Sequence, residues 1–164
     1  MSKIIVIGCP GAGKSTFARK LRDKTNLPLF YLDQIWHKAN KTHISRDEFD
    51  LKLNEIFNNN ESWIIDGNYS RTLETRFEHC DTVFLFDLPI EECIKGVESR
   101  IGKVREDMPW IEDEIDEEFR QQIINFPKEG LPIIYELVEK HKDTKEIHIF
   151  YSRKESDEYI QTIK

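Results

Sequence analysis

A glycine-rich segment near the start of the chain has the residues and the spacing of a phosphate-binding loop. Residues 8–15 read Gly-Cys-Pro-Gly-Ala-Gly-Lys-Ser and fit the pattern G-x-x-x-x-G-K-[S/T]. A continuous apolar run precedes this segment and a helical pattern follows it, which is the context that the motif requires. Its glycines allow successive backbone N–H groups to point inward and, with the N-terminus of the following helix, to surround a β-phosphate. The alternative is a glycine-rich strand-to-helix turn with an incidental lysine.

Side chains of the same segment add a cation and a metal ligand. We predict that Lys14 reaches the β- and γ-phosphate oxygens of a nucleotide and that Ser15 offers its hydroxyl to Mg²⁺. The hydroxyl of Thr16 is predicted to contact the α-phosphate, whereas Cys9 is predicted to be a small loop residue and not a nucleophile. The nucleotide-binding residues predicted here are Gly8, Pro10, Gly11, Ala12, Gly13, Lys14, Ser15 and Thr16.

Three carboxylates follow apolar runs that are typical of buried strands, and these are Asp33, Asp66 and Asp87. In parallel sheets, ligands bind at the carboxyl ends of the strands, so these side chains are candidates for one shared site. We predict that Asp66 holds Mg²⁺ through water or aligns an acceptor hydroxyl. For each aspartate alone, a helix cap or a turn residue is the alternative.

Residues near two of these aspartates are candidates for binding a phosphoryl acceptor. Asp33 lies where it would recognise a hydroxyl or a base of the acceptor, and Trp36 and His37 would form walls of the acceptor pocket. Gly67 would let a ligand approach the backbone, and Arg71 would pair with an acceptor anion through its bidentate fork. A solvated helix-face cation is the alternative for Arg71. The acceptor residues predicted are Asp33, Trp36, Gly67, Tyr69 and Arg71.

A cluster of cations opens a charged connection at residues 102–113. Arg100 lies just before this connection and Lys103 and Arg105 lie at its start, in an otherwise acidic chain. Cations on a lid of this kind close over a transferring phosphoryl group, stabilise its charge and help to exclude water. We therefore predict catalytic roles for Arg100 and Arg105 beside Lys14 and Asp66. Ion pairing with the neighbouring acids, Glu98, Glu106 and Asp107, is the alternative.

The elements that must position these residues alternate between strand and helix. The predicted strands are Lys3–Ile7, Leu29–Leu32, Trp63–Ile65, Thr82–Phe86 and Ile147–Tyr151. The predicted helices cover Lys14–Lys24, follow the capping boxes at Ser45 and Ser152, follow Ser70, and carry Pro89 in the first turn. This alternation predicts an α/β fold with a parallel sheet and helices on both faces.

Composition limits the classes of function. The 164 residues contain 24 Lys and Arg and 31 Asp and Glu, giving a net charge of −7, which argues against direct DNA binding. No apolar run approaches the ~20 residues of a membrane span. Three cysteines without tight spacing argue against a disulfide framework, so we expect a cytoplasmic chain of one domain, residues 1–164. The sequence leaves monomer and dimer equally open.

Longer strings in the chain resemble a known family. The loop, the Asp66-Gly67 step, Phe86-Asp-Leu-Pro89 and Glu98-Ser-Arg-Ile-Gly-Lys103 are similar to adenylate-kinase-like P-loop kinases. Four further strings resemble, more closely, bacterial DNA topology modulation proteins, and these are Tyr31-Leu-Asp-Gln-Ile-Trp-His37, Trp63-Ile-Ile-Asp-Gly-Asn-Tyr-Ser70, Arg105-Glu-Asp-Met108 and Asn125-Phe-Pro-Lys128.

The resemblance implies a three-layer P-loop NTPase fold whose five-stranded parallel sheet has the order 2-3-1-4-5. It implies ATP·Mg²⁺ at residues 8–16, Arg153 near the adenine ring, an acceptor insert at about residues 33–61 and a short lid at about residues 102–113. The chain departs from adenylate kinases in having no arginine between Asp33 and Ile44, and it departs from the nearer relatives in having Glu106 where they carry proline.

These observations lead to one hypothesis and two rivals. The hypothesis is a kinase that transfers the γ-phosphoryl group of ATP·Mg²⁺ to a small nucleotide- or nucleoside-type acceptor. The first rival is an ATP-binding regulator or slow NTPase that acts through a partner protein, as the DNA topology name would suggest. The second rival is a protein that binds nucleic acid directly.

Overall fold

Five parallel strands form the central sheet of the computed structural model, which describes residues 1–164. The strands are β1 (Lys3–Gly8), β2 (Leu29–Tyr31), β3 (Trp63–Asp66), β4 (Thr82–Phe86) and β5 (Glu146–Phe150). Their order is β2-β3-β1-β4-β5, and every pairing is parallel. The predicted α/β fold and the order 2-3-1-4-5 are therefore confirmed, with strand ends that differ from the prediction by one residue.

Helices cover both faces of this sheet. They are α1 (Lys14–Thr25), α2 (Leu32–Trp36), α3 (Arg46–Asn59), α4 (Leu73–His79), α5 (Ile90–Arg100), α6 (Glu117–Glu129), α7 (Leu131–His141) and α8 (Arg153–Thr162), and a single 3-10 turn covers Ser70–Thr72. None of them combines the length and the apolar character that crossing a membrane requires.

The buried side chains divide into two groups, one for each face of the sheet. In β1, Ile4 and Val6 pack with Phe17 and Leu21 of α1, whereas Ile5 and Ile7 pack with side chains of α2, α3 and α4. All four β1 side chains are fully buried. This explains why the strand is a continuous apolar run, since helices cover it on both sides.

Two helices that the sequence pattern did not predict lie between the charged connection and β5. These are α6 and α7, which follow one another with only Gly130 between them. Pro127 inside α6, together with Gly130 and Pro132, breaks the periodic signal, although Asp116 caps α6 by accepting a hydrogen bond from the Glu118 N–H. Pro89, predicted in the first turn of α5, lies one residue earlier at its N-cap.

The phosphate loop is packed against α5 and β4 by direct backbone contact. A β-carbon on Gly96 of α5 would lie 1.9 Å from the carbonyl oxygen of Gly11. A β-carbon on Gly11 would lie 2.1 Å from the carbonyl oxygen of Cys93, and one on Gly8 would lie 2.3 Å from that of Phe86. Because real β-carbons do not approach oxygen this closely, glycine at these positions sets the distance between the loop and its neighbours.

We predict that Gly96→Ala destabilises the protein although alanine favours helix by about 1 kcal/mol. Its methyl group must push α5 away from the loop, at a cost of roughly 1–3 kcal/mol beyond that gain. Chemical denaturation followed by circular dichroism measures the free energy of unfolding. Glu91→Ala, at an exposed position of the same helix, is the control and should change it by less than about 0.5 kcal/mol. A Gly96→Ala protein as stable as the wild type would contradict the packing argument.

Candidate active site

A polar cavity of about 470 Å³ lies over the phosphate loop, and none of the 14 residues that line it is hydrophobic. Six of these residues carry positive charge: Lys14, Arg19, Lys95, Arg100, Arg105 and Arg153. Only Glu92 and Asp107 carry negative charge there. In a chain with a net charge of −7, this concentration of cations favours a ligand with several negative charges.

The backbone of the loop has the conformation of an anion nest. Gly8, Gly11 and Gly13 have φ angles of 136°, 80° and 100°, in the region that favours glycine. Gly13 is the N-cap of α1, so the loop leads directly into the helix N-terminus. The Lys14 ammonium donates a hydrogen bond to the Cys9 carbonyl at 2.9 Å, and burial lowers its pKa. The loop therefore combines inward N–H groups, a helix dipole and a cation, as phosphate binding requires.

Asp66 at the end of β3 meets the loop at Ser15. The Ser15 hydroxyl donates a 2.5 Å hydrogen bond to Asp66 Oδ2, while the buried Oδ1 atom has no hydrogen-bond partner. Asp66 is only 5% exposed, and burial raises its pKa to about 6 against the opposing effect of Lys14. A serine hydroxyl beside a carboxylate with one unpartnered oxygen supplies the hard oxygen donors that Mg²⁺ takes, so this pair fits the ion.

The two predicted lid arginines line the same cavity and are ion-paired by lid acids. Arg105 donates to both carboxylate oxygens of Asp107, from Nε at 3.3 Å and from Nη2, and its Nη1 atom lies 3.2 Å from Glu112. Arg100 Nε lies 3.6 Å from the same glutamate. Asp107, 4% exposed, is the acid that reaches into the cavity. Ion pairing and cavity lining, posed as alternatives for these arginines, therefore occur together. Exposed Lys103 makes no ion pair and does not line the cavity.

Glu106 attaches the connection 102–113 to the body of the protein. Its carboxylate accepts hydrogen bonds from the Tyr31 hydroxyl and, at 2.8 Å, from Arg22, while its carbonyl accepts one from Gln34 Nε2 at 2.8 Å. Glu106 thus links this segment to β2, α1 and α2. No local pattern in the sequence indicated these contacts.

Arg153, predicted near an adenine ring, bridges the loop and α5. Its Nη2 atom donates to the carbonyls of Gly11 and Glu92, each at 2.8 Å, and its Nη1 atom lies 3.0 Å from the Glu92 carboxylate. The side chain also packs over Gly13. The structure therefore brings Arg153 to the cavity but gives its guanidinium partners within the protein.

Three of the predicted acceptor residues line a second, smaller pocket, and Asp33 lies outside it but contacts one of them. Asp33 Oδ1 accepts a 2.6 Å hydrogen bond from the Tyr69 hydroxyl. Tyr69 also lines a pocket of about 260 Å³ with Trp36 and Arg71. The other residues lining that pocket are Arg46, Phe49, Ser70 and Thr72. One face of the Trp36 ring is covered by stacked His43, with ring centroids 4.3 Å apart.

Other predicted residues have partners that the sequence did not indicate. Arg71 does form a bidentate fork, but with Asp50 of α3, at 2.8 and 2.9 Å. Gly67 has a φ of 137° and lies against the Leu32 side chain, so packing of α2 already requires a glycine there. His37 packs on the edge of Trp110 outside this pocket, and Asp87 accepts a 2.5 Å hydrogen bond from Tyr135.

We predict that Asp66→Asn stabilises the protein in nucleotide- and metal-free buffer at high pH. The folded-state pKa of about 6 exceeds the ordinary 3.8, so the folded state binds this proton more tightly and the carboxylate destabilises it above pH 6. Asparagine mimics the protonated carboxyl. Its advantage should reach about 3 kcal/mol at pH 8 and disappear as the pH falls to about 4.

Denaturation of both proteins across this pH range checks the prediction, with exposed Asp143→Asn as the reference for loss of one negative charge. An Asp66→Asn variant less stable than the wild type at pH 8, or an advantage that stays constant down to pH 4, would contradict it.

Comparisons with known proteins were made at the levels of family, sequence and structure. No family model matches the chain. Adenylate kinase from Thermotoga neapolitana is 26% identical in an alignment of 132 residues that covers 61% of this chain and 59% of that enzyme. The chain thus matches less than two thirds of the length of this curated relative. The likeness to DNA topology modulation proteins finds no confirmation among these matches.

Shikimate kinase from Bacteroides thetaiotaomicron has a similar structure throughout. The superposition gives a TM-score of 0.57 with 16% sequence identity, and it covers 96% of this chain and 93% of that enzyme. At this identity the likeness shows the fold and not the substrate. The α/β sheet of order 2-3-1-4-5, with its helices and its loop after β1, is therefore the fold of a P-loop kinase.

Proposed function

We propose that the protein is a kinase that transfers the γ-phosphoryl group of ATP·Mg²⁺ to a small nucleotide- or nucleoside-type acceptor. The observation that carries the proposal is the Ser15–Asp66 pair, with its unpartnered carboxylate oxygen, beneath a cavity lined by six cations. Weak similarity to an adenylate kinase, together with the fold of a P-loop kinase, supports the same class of reaction.

On the donor side, the loop residues hold the phosphates of ATP. The N–H groups of residues 11 and 13–16 surround the β-phosphate, whereas those of Gly8 and Ala12 already donate to acceptors within the protein. Lys14 turns from the Cys9 carbonyl to the β- and γ-phosphate oxygens. Ser15 would hold Mg²⁺ directly and Asp66 would hold it through water. The ion would supply positive charge that neutralises the phosphate oxygens of ATP. Arg153 fixes the loop to α5, beside the position proposed for the adenine ring.

At the point of transfer, the lid arginines meet the phosphoryl group. Arg100 and Arg105 line the cavity and form ion pairs with Glu112 and Asp107. A γ-phosphate entering the cavity offers oxygens in place of these carboxylates, and the spread charge of the transition state is then stabilised by groups that are already positioned. Catalysis by positioning and electrostatics needs no covalent nucleophile.

On the acceptor side, Asp33 and Tyr69 orient the attacking hydroxyl or phosphate. Trp36 and Tyr69 provide aromatic surface for a ring, and Arg71 provides a cation for an acceptor anion that displaces Asp50. Three free, buried cysteines suit a reducing compartment, which supports a cytoplasmic location for such a reaction.

An ADP-release assay with ATP·Mg²⁺ against a panel of acceptors tests the proposed function. The panel contains nucleoside monophosphates, nucleosides and small hydroxylated metabolites. We expect at least one acceptor to raise ADP release well above the rate without acceptor. A flat panel from protein that binds ATP would overturn the kinase proposal and favour the regulator or slow NTPase.

We predict that Lys14→Ala lowers the affinity for ATP·Mg²⁺ by roughly 10- to 100-fold, because a charged hydrogen-bonding group contributes about 1.5–3 kcal/mol. We expect the fold to be retained, because Lys14 lines the cavity and belongs to neither group of buried apolar side chains. Isothermal titration calorimetry gives the affinity, and Lys24→Ala, exposed on the same helix, is the control. Unchanged affinity in Lys14→Ala would place the nucleotide elsewhere.

We predict that Arg100→Ala lowers kcat by about 100-fold or more while the Kd for ATP changes by less than about threefold. The guanidinium acts on charge that develops during transfer, so ground-state binding should change little. Arg120→Ala, which removes an arginine ion-paired with Glu98 outside the cavity, is the matched control. Equal losses in affinity and kcat would assign Arg100 to ground-state binding instead.

A further inference from the structure

The segment that follows β3 is joined to the first residue of the phosphate loop by one side chain. The Oδ1 atom of Asn68 accepts a hydrogen bond from the Gly8 N–H at 2.9 Å, and its Nδ2 atom donates one to the Gly8 carbonyl at 2.5 Å. One residue earlier, the Gly67 N–H donates to the Val6 carbonyl at 3.1 Å. The Asn68 amide thus continues the β1–β3 pairing beyond the end of the sheet.

Gly8 is fixed on its other side as well. Its backbone lies so close to the Phe86 carbonyl of β4 that no β-carbon would fit, and its φ of 136° belongs to the region that favours glycine. The Phe86 backbone on one side and the Asn68 amide on the other therefore fix the position of the peptide that starts the phosphate loop. Movement of Asn68 therefore moves or releases the loop at its origin.

Arg76 of α4 holds the backbone around Asn68. Its guanidinium donates to three successive carbonyls, those of Gly67 at 2.7 Å, Asn68, and Tyr69 at 3.1 Å. Its Nε atom donates to the Thr72 hydroxyl at 3.3 Å, so the segment and the following turn share one donor group. Tyr69 has a φ of 41°, which is uncommon for a residue other than glycine and needs such support.

The buried guanidinium of Arg76 has a desolvation cost that an apolar side chain in the same place would not have. Arg76 is 0% exposed and has no ion-pair partner, and burial lowers its pKa to about 9. An apolar side chain of similar size would fill the same space at a lower cost in desolvation. What only the arginine provides is a set of diverging donors for three carbonyls in a row.

The same short segment also reaches the acceptor side. Tyr69 donates its hydroxyl to Asp33 at 2.6 Å and stacks on Phe49, with ring centroids 5.3 Å apart, beside the smaller pocket. Consecutive residues 68 and 69 thus contact the donor loop and the acceptor pocket, and Arg76 fixes both carbonyls.

We propose that Asn68 and Arg76 are positioning residues that hold the phosphate loop and the acceptor pocket at a fixed separation. Neither lines either cavity, so both act through Gly8 and Tyr69. This inference rests on the proposed function for its catalytic consequence, while the mechanical link between Arg76, Asn68 and Gly8 is independent of it.

Amide hydrogen exchange of Gly8, measured by NMR on the protein without ligands, tests the mechanical link. Asn68→Ala removes the acceptor of the Gly8 N–H and should speed its exchange at least tenfold. Arg76→Lys keeps the charge, but all its donors lie on one nitrogen and cannot replace both Nη1 and Nη2 at the three carbonyls. It should therefore also speed Gly8 exchange, although Arg76 does not touch Gly8. Thr75→Ala, exposed on the same helix, is the control. Unchanged Gly8 exchange in Arg76→Lys would overturn the link.

Steady-state kinetics with an acceptor identified by the panel tests the catalytic consequence. We expect kcat to fall about 10- to 100-fold in Asn68→Ala, with the KM values for ATP and acceptor within about threefold, because the contacts to each substrate remain. Lower thermal stability with an unchanged kcat would assign both residues a structural role only. If Arg76→Lys does not fold, Asn68→Asp, which keeps the shape but loses the donor to the Gly8 carbonyl, replaces it.

Discussion

Backbone contact without intervening side chains is the constraint on which the candidate site depends. Gly8 lies against Phe86, and Gly11 and Gly96 let the loop and α5 meet at a distance that excludes any β-carbon. The loop is therefore held by the sheet and by a helix before any ligand arrives. Because its N–H groups are already oriented, binding a phosphate costs little reorganisation, which is the condition under which electrostatic stabilisation is strongest.

Charge is distributed in a way that follows from this preorganisation. The chain is acidic overall, yet six cations line one cavity. Two of them, Arg100 and Arg105, form ion pairs with the carboxylates of Asp107 and Glu112. Burial also shifts the pKa values of charged groups near the site. The pKa of Asp66, at the end of β3, is raised to about 6, and that of Arg76, on α4, is lowered to about 9. Buried ionisable groups with shifted pKa values cluster at functional sites, because burying a charge costs free energy that a function can offset.

The sequence predicted the parts of the structure that local patterns encode. Apolar runs marked the strands and the phosphate loop marked its own position, whereas the strand order came from resemblance. The sequence pattern did not predict α6 because Pro127 lies inside it, and a proline in a helical pattern normally ends the helix. Partners distant in sequence could not be predicted: Arg71 is paired with Asp50, and Arg76, for which no sequence pattern indicated a role, is fully buried. Only the fold decides which cation on a helix faces inward.

Following an isotopically labelled γ-phosphoryl group would distinguish a kinase from an ATP-binding regulator or a slow NTPase. ATP with oxygen-18 in its γ-phosphate is incubated with Mg²⁺, the protein and a small-molecule extract, and labelled products are identified by mass spectrometry. Our account predicts the label in a small organic molecule, together with stoichiometric ADP, and its loss in the Lys14→Ala protein. Label found only in inorganic phosphate, or left in ATP that the protein demonstrably binds, would contradict it.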